Sequence, residues 1–282
     1  MALTVNTNVT SLSVQKNLNR ASDALSTSMT RLSSGLKINS AKDDAAGLQI
    51  ATRMTSQIRG QNMAIKNAND GISIAQTAEG AMQESTNILQ RMRELAVQAR
   101  NDSNGTADRT ALNKEFSQMS DELTRIAKST NLNGKNLIDG TAGTMTFQVG
   151  SNTGATNQIT ITLASGFDAS TLGVDSGTIA ITGDSSNIDT NVTKSLDAID
   201  KALQTINSSR ADLGAAQNRL TSTISNLQNI NENASAALGR VQDTDFAAET
   251  AQLTKQQTLQ QASTAVLAQA NQLPSAVLKL LQ

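Results

Sequence analysis

Two consecutive carboxylates beside a lysine, at Lys42, Asp43 and Asp44, form the most chemically suggestive cluster of the sequence. Paired carboxylates can ligate a metal ion or perform acid–base catalysis when both reach one substrate atom. On a helix, neighbouring side chains diverge by roughly 100°, so Asp43 and Asp44 cannot flank a single bond. A helix start, in which an Asp accepts backbone N–H groups, or ion pairing between copies of the chain fits these residues better. We expect one of those two roles.

Two further short patterns give no support for catalysis or nucleotide binding. Ser13 and Lys16 match S-x-x-K, but no S-D-N or K-T-G pattern follows, and a Ser-rich chain produces such a match by chance. Gly134-Lys135 lacks the upstream Gly of a phosphate-binding loop, and no G-x-G-x-x-G pattern occurs. We therefore predict no catalytic residue and no cofactor-binding residue.

The missing residue types exclude most site chemistry. The 282 residues contain no His, Cys, Trp or Tyr, which excludes thiolate and imidazole metal sites, Cys–His nucleophiles and Ser-His-Asp triads. We predict a protein that is not an enzyme and holds neither metal nor cofactor. The net charge is -1 and no basic block occurs, which argues against nucleic acid as a partner. No run of eighteen apolar residues occurs, so we expect no membrane insertion.

Seven-residue apolar repeats indicate the elements that must carry any site. One repeat in the last third of the chain comprises Val192, Leu196, Ile199, Leu203, Ile206, Leu213, Leu220, Ile224, Leu227, Ala234, Leu238 and Val241. A second comprises Ile58, Ile65, Ala68, Ile72, Ala75, Met82, Leu89 and Ala96, and a third Leu112, Phe116, Met119, Leu123 and Ile126. Repeats of this kind predict long antiparallel helices packed with left-handed supercoiling, the longest reaching about 75 Å.

Both chain ends carry the same type of repeat. It comprises Val5, Val9, Leu12, Ala21, Leu25, Met29, Leu32 and Leu36 near the start, and Leu259, Ala262, Val266, Ala270, Leu273, Val277 and Leu280 near the finish. A pair of helices buries only the two facing stripes, so we expect these ends to be marginally stable until neighbouring copies cover them. The other helix faces are rich in small polar residues, which pack closely without stranding charge. Homotypic assembly accounts for both features.

Between residues 130 and 190 the period of the pattern falls to two. Met145, Phe147 and Val149 alternate with polar residues, as do Ile159, Ile161 and Leu163, with the turn-rich stretch GSNTGATN between them. This predicts a β-hairpin, and GTIAITG predicts one further short strand. The predicted fold class is mainly α: a long antiparallel coiled-coil or helical-bundle rod with paired terminal helices and a small inserted β-hairpin region.

Several long stretches resemble bacterial flagellin. They are RLSSGLKINSAKDDAAGLQIATRM, QRMRELAVQA and LGRVQDTDFAAETAQLTKQQTLQQASTAVLAQANQLPSAVLKLL, in the same order as in that family. The resemblance implies a filament subunit in which residues 1–44 with 240–282 form an inner-tube coiled coil. It also implies an outer-tube domain of residues 45–175 with 190–239, leaving 176–189 as a short remnant of the variable region without a large outer domain.

The resemblance also implies partners and a location. The chain would polymerise with other flagellin subunits into the extracellular filament, the propeller for motility. It would be exported unfolded through the flagellum's own channel without a cleaved signal peptide, with an export chaperone, the filament cap and the hook-junction proteins as further partners. The alternative within this resemblance is a hook–filament junction protein. Relatives of that kind tend to carry a Pro after the paired acids, where this chain has Ala45-Ala46.

Two sets of residues take roles from the resemblance. Lys42, Asp43 and Asp44 fall in the connector between the inner and outer layers, where the resemblance implies lattice contacts and a helix start, with Gly35 and Gly47 easing the backbone. Arg91, Leu95 and Glu115 match the residues by which hosts recognise flagellin through a Toll-like receptor. Arg91 and Leu95, four residues apart, are expected to share a helix face.

Overall fold

The computed structural model describes residues 7–184 and 187–280, and for residues 273–280 the backbone alone. The chain divides into two compact units, Met1–Ile58 with Glu232–Gln282 and Arg59–Asn231. We call these the terminal unit and the central unit. None of the described helices is long and apolar enough to cross a membrane.

The central unit is built on three helices whose apolar repeats form its core. Helix α2 runs over Ala45–Ala99, α3 over Thr106–Ser129 and α4 over Ile188–Gln242, so the turn residues at 100–105 separate α2 from α3 as the Asn/Gly-rich sequence predicts. The repeat positions with large or tightly packed side chains are fully or almost fully buried: Ala68, Ala75, Met82, Leu89, Ala96, Phe116, Leu123, Val192, Ile199, Ile206, Leu213 and Leu220. The helical repeats are confirmed.

Polar contacts show that α2 and α4 run antiparallel. Glu79 of α2 accepts a hydrogen bond from the Gln217 amide at 2.8 Å, and its other oxygen lies 3.9 Å from the Arg210 guanidinium. Farther along, Asn231 donates to Asn62 at 2.6 Å. These polar positions share the repeat register of α4, and a slide of one helix by a heptad would separate Asn62 from Asn231.

A β-hairpin packs on the helices of the central unit. Strands β3, Gly143–Gln148, and β4, Gln158–Leu163, pair antiparallel with Met145 opposite Ile161 and Phe147 opposite Ile159. Met145, Val149, Ile159, Ile161 and Leu163 are buried, which confirms the predicted alternation. The shorter ladder β1, Asn131–Leu132, with β2, Lys135–Asn136, is an addition that the period-two pattern did not predict.

The predicted strand in GTIAITG is wrong. Residues 177–183 form turns and irregular backbone, although Ile179 and Ile181 are buried as the alternation requires. The backbone groups of this segment pair with side chains: the Ile181 N–H donates to the Asn113 amide oxygen at 2.9 Å, and the Asn191 amide donates to the Thr182 carbonyl at 2.9 Å. The segment therefore buries its apolar side chains without a ladder partner.

The terminal unit contains the two end helices, α1 over Val9–Ser34 and α5 over Phe246–Leu280. They pair antiparallel, since Asn8 donates to the Ala270 carbonyl at 2.8 Å while Arg31 meets Glu249 at the opposite end. The mainly α fold class, with long antiparallel helices, paired terminal helices and an inserted β-hairpin, is thereby confirmed.

Candidate functional site

The cluster at Lys42, Asp43 and Asp44 lies in the loop between α1 and α2. One Asp44 carboxylate oxygen accepts the Gly47 N–H at 2.9 Å, which caps the first turn of α2. Asp43 accepts the backbone N–H groups of Asn39 and Ser40 at 3.1 and 2.9 Å with the same oxygen. Both carboxylates thus serve local backbone structure, and the predicted helix start is the role that the geometry supports.

The environment of Asp43 favours its charged form. The backbone hydrogen bonds from Ser40 and Asn39 hold the pKa of this exposed carboxyl below its usual value of 3.8. Lys42 lies exposed beside it without an ion pair in the part of the chain that the structure describes. Within the same described residues, no three acidic side chains converge as a metal site would require. Whether these three residues also make lattice contacts stays a prediction.

A short bridge holds this loop to the segment between α4 and α5. Leu36 and Asp243 form an antiparallel bridge, with the Lys37 N–H donating to the Gln242 carbonyl at 2.7 Å and the Thr244 N–H to the Gly35 carbonyl at 3.0 Å. Gly35 ends α1 with φ 73°, a left-handed conformation in which a glycine is unstrained. Gly47 serves a different purpose, since a Cβ there would lie 2.5 Å from an Asp44 oxygen and 2.6 Å from Ile38.

The seam between α1 and α5 is narrow and partly polar. Its buried and half-buried positions recur with heptad spacing: Ser11, Val14, Leu18, Ala21, Leu25, Ser28 and Leu32 on α1, and Glu249, Leu253, Gln256, Gln260, Ser263, Leu267 and Ala270 on α5. Ser28 and Gln256 are 3% and 9% exposed. Sequence reasoning missed these polar members because it searched for apolar repeats, although their heptad spacing is visible once polar residues are included.

Large apolar side chains lie outside that seam on both helices. Val9, Leu12 and Met29 of α1 are 57–67% exposed, and Leu259 and Val266 of α5 are 44% and 48% exposed. We call these five residues the uncovered apolar face. Of the predicted assembly residues, Leu25, Leu32 and Leu36 are half-buried and Leu259 and Val266 are exposed. Leu273, Val277 and Leu280 lie on the backbone of α5, but their side chains are outside the described residues.

The predicted receptor-binding residues do not form one surface. Arg91 is exposed and donates to Glu115 through Nε and Nη2, at 3.2 and 2.8 Å, and to Glu94 at 2.9 Å. These hydrogen bonds raise the pKa of Arg91, and the one that Glu115 accepts does so most strongly. Leu95 is fully buried in the core of the central unit, which corrects its predicted place on the face of Arg91. The reason is that α2 packs against other elements on the side that carries Leu95.

These elements define a class of protein built from long helices, in which the first and last helices of the chain pair with each other. A family model described as the bacterial flagellin N-terminal helical region matches residues 5–143, and one for the bacterial flagellin C-terminal helical region matches residues 196–281. The chain belongs to the bacterial flagellin family, which is a family of structural proteins.

Individual relatives agree with the family models. Flagellin B of Vibrio anguillarum is 42% identical over 375 aligned residues that cover 100% of both chains. Polar flagellin A of Vibrio parahaemolyticus is also 42% identical over 375 residues, with the same complete coverage. Both alignments are longer than the 282 residues of this chain, so the relatives contain insertions relative to it.

Two solved structures are similar to the chain. The crystal structure of Bacillus cereus flagellin is 33% identical with a TM-score of 0.48, covering 57% of this chain and 88% of that one. A Vibrio parahaemolyticus protein described as flagellar hook-associated has a TM-score of 0.59 at 15% identity, covering 71% of this chain and 100% of its own. The second likeness concerns the fold alone.

Proposed function

We propose that this chain is the subunit of an extracellular flagellar filament and that it polymerises through the uncovered apolar face of α1 and α5. The observation that carries this proposal is the exposure of large apolar side chains on both members of the terminal helix pair. Val9 is 67% exposed, and Leu12 and Met29 are each 57% exposed. Exposed apolar side chains grouped on one face mark a surface that binds another protein.

The energetics of the helix pair favour assembly over isolation. Its own seam is partly polar, with Ser28 and Gln256 among its buried residues, and the leucines of the seam are only half-buried. Burying a Leu, Val or Met side chain contributes about 1.5–3 kcal/mol, so covering the uncovered apolar face adds stability that the single chain lacks. Further copies are the natural cover, because each carries apolar side chains on both α1 and α5, and contacts between different parts of this face on successive copies continue into a filament.

The layers of the filament follow from the same proposal. Residues 1–44 with 240–282 would form the inner tube, and residues 45–175 with 190–239 the outer tube. Residues 144–195 lie between the two family-model matches, and the longer relatives support a shortened variable region at 176–189. A filament of this subunit would therefore lack large outer domains.

The decisive experiment removes the two apolar side chains that α5 contributes to this face without changing the seam. The double variant Leu259→Gln with Val266→Gln should fail to elongate filament seeds, as observed by electron microscopy. Gln261→Ser, an exposed polar position on the same helix, is the matched control and should elongate normally. Circular dichroism melting should show an unchanged central unit in both. Elongation by the double variant at the parent rate would refute the proposal.

A hook–filament junction protein is the second candidate. The likeness to the hook-associated structure favours it only at the level of fold. Ala45 and Ala46 follow the paired acids here, and both residues belong to the first turn of α2. Unlimited growth on seeds supports the filament subunit, whereas addition that stops after a few copies supports the junction protein.

Recognition by a host Toll-like receptor is proposed for the surface of Arg91 and Glu115. Both side chains are about half exposed, at 48% and 41%, and present a cation and an anion side by side. Leu95 would act only indirectly, by packing α2 against the core of the central unit. Arg91→Ala and Glu115→Gln should each lower receptor signalling at unchanged melting temperature, whereas Asp200→Asn on α4 serves as a charged-surface control. Normal signalling by both variants would remove this role.

Further flagellar partners are proposed for the same terminal helices. The exposed side of α5 would be held by an export chaperone before assembly, and the filament cap and hook-junction proteins would contact the terminal helices after export. Export would proceed without a cleaved signal peptide. Amino-terminal sequencing of filament subunits should then start at Met1 or, after removal of the initiator Met, at Ala2, and a start many residues further on would contradict this route.

A further inference from the structure

Asparagine followed by glycine occurs twice in the chain, at Asn104-Gly105 and Asn133-Gly134. In such a pair the glycine nitrogen can attack the asparagine side chain, because no Cβ on the following residue obstructs the approach. The two sites are alike in sequence and differ sharply in structure.

Asn133-Gly134 forms the two-residue turn between β1 and β2. The φ angles are 52° at Asn133 and 75° at Gly134, as in the type I′ turns that favour Asn-Gly. Both residues are exposed, and a Cβ at Gly134 would meet nothing within 4 Å. Neither the Asn133 amide nor the Gly134 N–H is hydrogen-bonded to any residue that the structure describes.

The strands beside this turn resist rearrangement only weakly. β1 and β2 contain two residues each, and a two-residue ladder opens at little cost in free energy. Opening lets Asn133 leave its left-handed conformation and bring its side-chain carbon over the Gly134 nitrogen.

Asn104-Gly105 is held in the opposite way. The Asn104 amide donates to the Gln98 carbonyl at 2.6 Å, which ties down the group that would leave. The Gly105 N–H donates to the Asp108 carboxylate at 3.0 Å at the start of α3, which occupies the attacking nitrogen. Reaction at this site therefore requires both bonds to open.

We propose that Asn133 is a site of spontaneous deamidation and that the start of α3 protects Asn104 from the same reaction. The Gly134 nitrogen forms a bond to Cγ of Asn133 and loses its proton to water, water returns a proton to Nδ2, the Cγ–Nδ2 bond breaks, and ammonia leaves. Water then opens the cyclic imide at either carbonyl to give Asp or isoAsp. The new carboxylate lies on the wall of a groove shared with Asp70 and Lys135.

The test follows the two sites in one digest of the full-length protein. After incubation in mildly alkaline buffer, trypsin releases residues 129–135 and 101–109 as separate peptides, because cleavage follows Lys128, Lys135, Arg100 and Arg109. Mass spectrometry should show the deamidation mass gain accumulating in 129–135, as two products of equal mass. The gain in 101–109 should be slower by roughly tenfold, the effect of one or two hydrogen bonds.

Two controls separate structure from sequence. In denaturant the two peptides should deamidate at similar rates, since the protection of Asn104 is lost. Asn133→Gln should remove the gain from 129–135, because a longer side chain closes the ring slowly, which assigns the reaction to this residue. Equal rates in the folded protein, or a rate ratio that denaturant leaves unchanged, would overturn the proposal.

Discussion

The guanidinium of Arg31 in α1 and the carboxylate of Glu249 in α5 lie 3.6 Å apart, from Nη1 to Oε2, across the terminal helix pair. Both are largely shielded from solvent, at 29% and 13% exposed, in a seam that is partly polar. The ion pair therefore helps to fix the register of α1 against α5, together with the apolar side chains of the seam.

We expect this ion pair to contribute on the order of 1 kcal/mol to the assembled state. Arg31→Gln, Glu249→Gln and the double variant form a cycle, measured by the thermal midpoint of filament depolymerisation. Each single variant should lower the midpoint, and the double variant should lower it by less than the sum. Glu122→Gln breaks the exposed Arg125–Glu122 pair and should change the midpoint much less. Strict additivity would mean that Arg31 and Glu249 are not coupled.

Two helical glycines should respond oppositely to alanine. At Gly47 a Cβ would lie 2.5 Å from Asp44 and 2.6 Å from the buried Ile38, so Gly47→Ala should destabilise the start of α2 by about 1–3 kcal/mol. At Gly80 nothing lies within 4 Å, so Gly80→Ala should stabilise α2 by about 0.5–1 kcal/mol. Thermal melts by circular dichroism measure both changes, and a shift of the same sign for the two variants would contradict the packing at Gly47.

The cap at Asp44 predicts a graded response to substitution. Asp44→Ala removes the acceptor of the Gly47 N–H and should cost about 1 kcal/mol, whereas Asp44→Asn retains an oxygen and should cost only a few tenths. Amide exchange in the first turn of α2 reports the loss directly. Lys42→Ala, at an exposed position in the same loop, provides the neutral baseline. If Asp44→Ala leaves that exchange unchanged, the cap contributes nothing.

Acid should weaken the loops of the central unit through Asp139 and Asp175. The hydroxyl of Thr141 donates to Asp139 and that of Thr178 to Asp175, each at 2.6 Å, and these bonds lower the pKa of both carboxyls from 3.8. Because the folded pKa is depressed, the stabilisation is fully present above pH 3.8 and is lost as the pH falls through the folded pKa.

Removing the hydroxyl groups of Thr141 and Thr178 tests this pH dependence. Thr141→Val and Thr178→Val should melt below the parent at neutral pH, and the difference should narrow well below pH 3.8, where both states carry protonated carboxyls. Thr110→Val, whose hydroxyl donates to a backbone carbonyl on the exposed side of α3, should show a difference that does not depend on pH. If the difference in melting temperature between the parent and Thr141→Val or Thr178→Val stays constant across the acid range, a role for the carboxylates is excluded.

The parts of the fold that sequence predicts well are those in which one apolar period decides burial. Phe116, Leu213 and Leu220 follow the heptad and are buried, and Met145 and Ile161 follow the strand alternation and face each other across the hairpin. In each case the periodicity of the backbone and the burial of apolar surface require the same arrangement.

The sequence-based predictions fail where the pattern of apolar residues does not determine the backbone hydrogen bonds or the packing partner. Ile179 and Ile181 alternate like a strand, but their backbone is satisfied by Asp175 and Asn113 instead of a neighbouring strand. On α5 the apolar residues Leu259 and Val266 point away from α1, while Gln256 occupies the seam. On α5, a pattern based on hydropathy alone therefore marks Leu259 and Val266 of the face proposed for other copies and misses the polar seam residue Gln256.

The candidate site residues divide in the same manner. The helix-start role of Asp44 is readable from sequence because an Asp before Ala-Ala is a local signal. The burial of Leu95 cannot be predicted in this way. A spacing of four places Arg91 and Leu95 near each other on the helix surface, but it does not show which of the two is covered by a neighbouring element. Arg91 reaches outward to Glu115 while Leu95 enters the core.

The partly polar seam between α1 and α5 has a kinetic consequence for the proposed filament. Because Ser28 and Gln256 occupy buried positions of the seam and its leucines are only half-buried, the first few copies to meet cover one another incompletely and separate again. A subunit that joins a finished end finds its neighbours already ordered. Nucleation of new filaments should therefore show a long lag phase whose length depends steeply on protein concentration. Subunits should add mainly to the ends of existing filaments.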